Sequence, residues 1–246
     1  MKSLKIIANG ASDAGRERTT NEDKIGLFPE MNLFVVADGM GGHAAGGVAS
    51  RISVNVLSEY FSSGKGLDLT SIERLSSAIK DANLEVIRKG ETEKRYLGMG
   101  TTIVALLIDG KMAIIGHVGD SRGYLIRDGN IKQLTYAHSL VNQYVRDGLI
   151  TQEEARGHPL KHILTNALGI SGDLAVDVQE IRFEHGDIFL LCSDGLTNML
   201  EDGDILSTVA ASGGDPSIIC NRLIDLANQR GGEDNISVII VKCTKA

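Results

Sequence analysis

Residues 101–118 read TTIVALLIDGKMAIIGHV. Two short apolar runs rich in β-branched side chains flank Asp109-Gly110, and Asp-Gly between such runs is a strong signal for a tight hairpin. The reading predicts antiparallel neighbours joined by a turn whose two central residues, Asp109 and Gly110, both take positive φ. GYLIR (123–127) and NIKQL (130–134) are split by Asp128-Gly129 in the same way. Further apolar runs of strand length recur along the chain: LKIIA (4–8), LFVVA (33–37), DIFLLCS (187–193) and ISVIIV (236–241).

Helical stretches interrupt this series. Ile72, Leu75, Ile79, Ala82 and Val86 follow one another at steps of three and four, which predicts an amphipathic helix over 70–89. Similar stripes mark 44–62 (Val48, Ile52, Val56, Tyr60) and 216–229 (Ile219, Leu223, Leu226). Segment 138–169 reads as two short helices inserted between strands like a flap, the second opened by a Thr151-x-x-Glu154 capping box. Hairpins mixed with helices, without strict βαβ alternation, favour an antiparallel-rich α/β or α+β sandwich over a doubly wound parallel sheet.

The chain has 246 residues, 42 % of them apolar and 23 % charged, which argues against disorder. With three prolines, no Pro/Ser-rich linker and no repeat, a single domain over 1–246 is expected. No apolar run approaches the ~20 residues of a membrane span, and the N-terminal run is too short for a secretory signal. Three widely spaced cysteines without a CxxC pair indicate neither a disulfide framework nor a zinc knuckle. A cytoplasmic protein without membrane association follows as the expectation. The net charge of −7, with no basic block, argues against nucleic-acid binding, and the absence of tryptophan against a stacking platform.

Aspartates stand at the ends of the apolar runs. LFVVA runs into Asp38-Gly39, AIIGHVG into Asp120-Ser121 and FLLCS into Asp194-Gly195, while Glu233-Asp234-Asn235 precedes ISVIIV. One Asp-Gly after a strand is most often only a turn. If the strands are neighbours, however, Asp38, Asp120, Asp194 and Asp234 repel one another at the edge of the core, and hard divalent cations such as Mg²⁺ or Mn²⁺ relieve that repulsion. Two such ions readily deprotonate a bridging water, which favours phosphoester hydrolysis.

Arg18, in the polar segment SDAGRERTTNED (12–23), offers a guanidinium fork matched to phosphate oxygens; the bland alternative is a solvated ion pair. His43, in the Gly-rich turn DGMGGHAAGG (38–47), is a candidate acid for the leaving alkoxide. That turn matches no nucleotide-binding pattern. The other histidines (His117, His138, His158, His162, His185) are not spaced like metal ligands, and the cysteines read as small core hydrophobes.

Six ordered motifs carry a resemblance: RTTNED (18–23), VVADGMGGHAAGGVAS (35–50), GMGTT (98–102), VGDSRGYLIRDG (118–129), LCSDGLTNML (191–200) and GGEDNISVIIV (231–241). Together they resemble the metal-dependent protein serine/threonine phosphatases of type 2C, in their compact bacterial form. The resemblance implies an α+β fold, a β-sandwich of two antiparallel sheets flanked by helices, with two Mn²⁺ or Mg²⁺ ions at one end. By the same resemblance Asp38 bridges the ions, Asp194 and Asp234 complete the first, and the Gly39 carbonyl serves the second. Glu22 or Asp23 acts on the second ion through water, and Asp120 with Asp194 matches a third, weaker metal site. Arg18 matches the phosphate-binding arginine and His43 the proposed general acid. The sequence departs from the common pattern at Asn198, where some members carry an acid, and at Ala137 and Asn166 beside the flap.

The expected function is hydrolysis of phosphoserine and phosphothreonine in proteins by a metal-bridging hydroxide, with phosphorylated proteins as partners and a monomer as the default state. A metallohydrolase of small phosphoesters and a non-catalytic phosphoprotein-binding scaffold are the alternatives.

Overall fold

The computed structural model describes residues 4–41, 45–170 and 173–245. Along the chain run strands β1 (Leu4–Asp13), β2 (Lys24–Phe28), β3 (Leu33–Ala37) and β4 (Gly39–Met40), then helices α1 (Ala45–Ser62) and α2 (Ser71–Thr92). Next come β5 (Gly100–Thr101), β6 (Ile103–Asp109), β7 (Met112–Val118), β8 (Arg122–Arg127) and β9 (Asn130–Gln133). The flap helices α3 (Leu140–Arg146) and α4 (Gln152–Arg156) precede β10 (Asp177–Arg182) and β11 (Ile188–Cys192). Helices α5 (Asp194–Thr197), α6 (Asp202–Ala211) and α7 (Pro216–Gln229) lead to β12 (Ile236–Lys245).

One five-stranded sheet has the order β1-β12-β11-β8-β9 and the other β10-β7-β6-β3-β2. Every pairing in both is antiparallel, so the α+β sandwich expected above is the observed architecture. The central strands β3, β6, β7 and β11 are apolar almost throughout because both of their faces are covered, whereas the edge strands β9 and β10 carry polar, partly exposed residues. In β3, Phe34 and Val36 point into the layer between the sheets, against Leu125, Phe189, Leu191, Ile239 and Val241. Leu33, Val35 and Ala37 point the other way, onto Leu57 of α1 and Leu75, Ile79 and Ala82 of α2. On the far side, Ile205 and Val209 of α6 and Ile219 and Leu223 of α7 cover Leu190, Val238 and Ile240. Each large side chain buried here contributes about 1.5–3 kcal/mol.

The two Asp-Gly turns differ. Asp128 and Gly129 both have positive φ, 50° and 74°, as the tight-turn reading requires. Asp109, however, pairs with Met112, so the central residues of the other turn are Gly110 and Lys111, and of these only Gly110 has positive φ, at 58°. That corrects the expectation for Asp109-Gly110: Asp109 closes β6, and a glycine at the first central position alone gives the II′ turn.

The helices start where their caps dictate. Thr70 and Glu73 form a capping box at α2, and Thr151 and Glu154 form the expected one at α4. Asp215 caps α7, its Oδ1 accepting from Ser217 N at 2.8 Å. The flap is closed at its base by Leu140 N–H to Ile163 O and Thr165 N–H to His138 O, both 2.9 Å. No helix among the described residues is long and apolar enough to cross a membrane.

Candidate active site

The topology places the acidic strand ends at one edge of the sandwich. Asp38 follows β3 and Asp120 follows β7, two strands that run in the same direction in one sheet. In the other sheet Asp194 follows β11, next to the start of its antiparallel neighbour β12, which Asp234 precedes. Arg18, Glu22, Asp38, Gly39, Asp120, Asp194 and Asp234 all line one cavity of about 480 Å³. The separation of these residues in sequence is thus closed by strand pairing.

The main chain at Asp38 is held by paired threonines. Thr101 Oγ1 donates to Asp38 O at 2.8 Å, Thr102 N–H donates to the same oxygen at 2.8 Å, and Asp38 N–H donates to Thr102 Oγ1 at 3.1 Å. Gly39 is required by close approach: a Cβ there would lie 2.2 Å from Gly46 O and 2.6 Å from Glu22 O. Its small size lets the start of α1 and the Glu22 segment close on the cavity together.

The carboxyls are strained electrostatically. Enclosure raises Asp38 well above the ordinary carboxylate range, and the charges of Asp23, Asp194, Asp120 and Asp234 push it further in the same direction. Asp120 is pushed up to about 7, first by burial and then by the charge of Asp194. Asp194 is raised by burial and by Asp234, against hydrogen bonds from Asn198 and from Asp38. Asp38 and Asp194 thus line one cavity as enclosed, mutually repelling carboxyls. Ionised carboxylates do not crowd together in such an enclosure without a compensating cation or a bound proton.

Glu22 and Asp23, alternatives in sequence, occupy different places. Glu22 lines the cavity, and its Oε1 is buried without a hydrogen-bond partner. Asp23 is buried behind the cavity wall, where Oδ2 accepts from Ser193 Oγ at 2.7 Å. Arg18 is exposed and its Nη2 donates to Asp234 Oδ2 at 2.9 Å. His43 lies outside the described residues. Asn198 Nδ2 donates to Asp194 Oδ2 at 3.0 Å, and Asn166 Nδ2 donates to Ala175 O at 2.7 Å.

Several neighbours of the cluster escaped the sequence reading. His162 reaches the same cavity from the flap. Ser193, Asn235 and the Thr101–Thr102 pair hold the cluster by hydrogen bonds; the first two adjoin acidic strand ends in sequence, and the threonines close the GMGTT motif. The fold also joins three groups that sequence spacing keeps apart: donor atoms of His117, His138 and Asp177 lie within 4.8 Å of one another. The two imidazoles stack at 4.8 Å with 25° between planes. Nearly parallel rings do not aim their lone pairs at one point. Moreover His117 Nε2 meets Tyr136 O at 2.9 Å, His138 Nδ1 accepts from Gly119 N–H at 3.2 Å, and His138 Nε2 meets Asp177 at 3.2 Å. This group ties the flap base to β7 and β10 and is a poor cation site.

Carboxylates crowded beside an exposed arginine at the rim of an antiparallel sandwich define a hydrolase of phosphate esters that works with divalent cations. The chain belongs to the protein phosphatase 2C family, whose profile matches residues 12–214. It is 42 % identical over 237 residues to the serine/threonine phosphatase stp of Listeria innocua, spanning 94 % of this chain and 93 % of that protein. Its fold is similar to that of the serine/threonine phosphatase Stp1 of Staphylococcus aureus, with a TM-score of 0.90, 35 % identity and coverage of 97 % of this chain and 95 % of that one. It is similar as well to the catalytic domain of the serine/threonine phosphatase PstP in complex with two manganese ions, with a TM-score of 0.88, 34 % identity and coverage of 99 % and 100 %.

Proposed function

We propose that this protein phosphatase removes phosphate from phosphoserine and phosphothreonine in proteins, using two Mn²⁺ or Mg²⁺ ions. The observation that carries the reading is the convergence of Asp38, Asp194, Asp120, Asp234 and Glu22 on the lining of one cavity. The donor set fits hard divalent cations: all oxygen, crowded beyond what ionised carboxylates tolerate alone, with a buried Glu22 oxygen lacking any partner. Asp38, Asp194, Asp234 and the Gly39 carbonyl would hold the two ions, with Glu22, or less directly Asp23, acting through water. Asp120 with Asp194 would hold a third, weaker ion. Bound cations of this kind supply Lewis acidity at phosphoryl oxygens and activate water at neutral pH.

The chain's own groups account for the rest. Arg18, exposed at the rim, turns its guanidinium fork to the phosphoryl oxygens and orients the substrate. His43 is the proposed proton donor to the serine or threonine oxygen that leaves. Phosphorylated substrates of a serine/threonine kinase, a role in signalling, a cytoplasmic monomer without nucleic-acid or membrane partners, and one catalytic domain over 1–246 complete the reading.

The test is Mn²⁺-dependent phosphate release from a phosphothreonine peptide. Asp38→Ala is expected to abolish it; near-normal turnover by that variant refutes the assignment. A panel of phosphorylated metabolites measured beside the peptide separates this reading from a hydrolase of small phosphoesters.

A further inference from the structure

The segment from Ala14 to Glu22 carries Arg18 over the cavity in turns and bends, without a regular element of its own. Both of its ends are bonded by one side chain from the other end of the sequence. We propose that Asn235 is a positioning residue for the reaction, setting the Arg18 loop against the carboxylate cluster. The inference rests on the phosphate-binding role proposed for Arg18.

Asn235 is 6 % exposed, immediately before β12. Its Nδ2 donates to Ala14 O and to Thr20 O, both at 2.9 Å, and its Oδ1 accepts from Glu22 N–H at 2.7 Å. Both amide hydrogens and the carbonyl oxygen are thus spent on the main chain of a single segment. The bonds fall on the two feet of the loop, Ala14 before Arg18 and Thr20 and Glu22 after it. An uncharged planar amide is the short group that offers two donors and an acceptor together. A carboxylate lacks the donors, a hydroxyl has one, and a buried ammonium has no acceptor.

The same residue orients the partner of Arg18. Asn235 N–H donates to Asp234 Oδ1 at 2.8 Å, while Asp234 Oδ2 receives Arg18 at 2.9 Å. Arg16 N–H and Glu17 N–H reach Gly232 O at 2.7 and 3.3 Å, adding a second tie between the loop and the approach to β12. With its feet pinned and its crest tied, the loop presents Arg18 before substrate arrives. Preset geometry of this kind is where displacements of about 1 Å cost up to ~100-fold in rate.

A purely structural asparagine lowers stability when removed but leaves KM of the folded fraction alone. A positioning residue that acts through Arg18 changes KM, and the change vanishes once Arg18 is gone. The experiment is a double-mutant cycle of Arg18→Ala and Asn235→Ala. It reads KM for a phosphothreonine peptide with Mn²⁺, the inhibition constant of inorganic phosphate, and amide exchange over residues 14–22. Asn235→Ala is expected to raise KM and the phosphate constant about 10-fold, and the double variant to exceed Arg18→Ala by less than about 2-fold. The Glu22 amide is expected to exchange faster in Asn235→Ala while amides within β12 keep their protection.

Asn235→Asp provides an isosteric second variant: it retains the acceptor for Glu22 N–H but sets a carboxylate against the Ala14 and Thr20 carbonyls, so KM is expected to rise at least as far. Unchanged KM in the folded variants, or additive losses in the cycle, overturns the proposal. So does a wild-type Glu22 amide that exchanges as fast as an open loop, a measurement that needs no variant. If Arg18→Ala raises both constants and the Asn235 variants raise neither, Arg18 keeps its role and positioning falls. If Arg18→Ala itself changes neither constant, the Arg18 reading falls and takes this inference with it.

Discussion

Ser193, immediately after β11, donates its Oγ hydrogen to Asp23 Oδ2, just before β2, at 2.7 Å, and so joins the two sheets beneath the carboxylate cluster. Asp23 is 8 % exposed and its Oδ1 has no hydrogen-bond partner. Burial pushes its carboxyl from 3.8 up to about 7, against the lowering effect of hydrogen bonds from Ser237 and Ser193, and the charges of Asp194 and Asp234 push it up as well. Asp120 is pushed to about 7 in the same way. Between 3.8 and about 7 the folded protein therefore binds protons that the unfolded chain releases. The stability these groups contribute is complete below 3.8 and is lost as pH rises through about 7. In chelator, the melting temperature is expected to fall between about pH 5 and pH 7.5, by about 2–4 °C for each kcal/mol lost. Mn²⁺ is expected to restore it, more at the higher pH, because the cation replaces the protons. A cation-free melting temperature that climbs across this range contradicts the account.

Asp38 links stability and activity with opposite signs. Its enclosed carboxyl is surrounded by Asp23, Asp194, Asp120 and Asp234, and all four charges oppose its ionisation. Asp38→Asn keeps the shape and removes one charge from the cluster. In chelator this variant is expected to melt higher than the parent protein. With Mn²⁺ it is expected to lose more than about 100-fold in kcat/KM for a phosphothreonine peptide, since losing even an outer partner of a metal costs 10–100-fold. Calorimetry with and without Mn²⁺, beside the phosphatase assay, checks both signs. A destabilised cation-free variant would mean that the repulsion is not real.

The contrast between Asp38 and Asn235 explains what could be read from the chain alone. Asp38, Asp120 and Asp194 were legible because a carboxylate at the tip of a buried strand is a local conflict, visible without knowing the partners. Asn235, Ser193 and Thr102 resolve such conflicts, but they are small, uncharged and bonded to atoms far away in sequence. Three of the bonds of Asn235 go to main-chain atoms, which carry no residue signature at all. LFVVA was legible as a buried strand, yet uniform apolarity hides which face meets the other sheet and which meets α1 and α2. The two Asp-Gly turns share a dipeptide and differ in register, because the pairing of Asp109 with Met112 is set by the strands and not by the turn. Helices α5 and α6 went unseen: four residues show no period, and in DGDILSTVAA the apolar residues sit in two adjacent clusters, Ile205-Leu206 and Val209-Ala210-Ala211, over too short a run to mark one face.

Asn198 occupies a lone pair of the cluster. Its Nδ2 donates to Asp194 Oδ2 at 3.0 Å, and this bond lowers the Asp194 carboxyl against the stronger push of burial. Asn198→Asp replaces the donor with a further carboxylate facing Asp194. Without cation the variant is expected to melt lower, since like charges in contact oppose folding. With Mn²⁺ it is expected to gain more in melting temperature than the parent and to bind additional manganese by titration calorimetry. Equal Mn²⁺ stoichiometry and an equal thermal gain would show that Asn198 does not limit cation binding there.

His138 couples the flap to Asp120 through Gly119. The Gly119 N–H donates to His138 Nδ1 at 3.2 Å and Gly119 O accepts from His138 N–H at 2.8 Å, so the histidine grips the residue before Asp120 on both sides. Its carbonyl takes Thr165 N–H at 2.9 Å at the closing end of the flap, and its Nε2 meets Asp177 on β10. His138→Ala keeps the main-chain bonds but strips the buried Gly119 N–H of its acceptor, at a cost of about 1–3 kcal/mol, and removes the stacking on His117. Cleavage within residues 139–164 by a low dose of protease is therefore expected to accelerate. The kcat/KM for a phosphopeptide is expected to fall further than that for a small aryl phosphate, because the flap residues His162 and Leu164 line the cavity and a longer substrate has more surface to meet them. His185→Ala, at an exposed position away from the flap, provides the control. Unchanged cleavage together with equal losses on both substrates would sever the flap base from the site and leave His138 as a packing residue only.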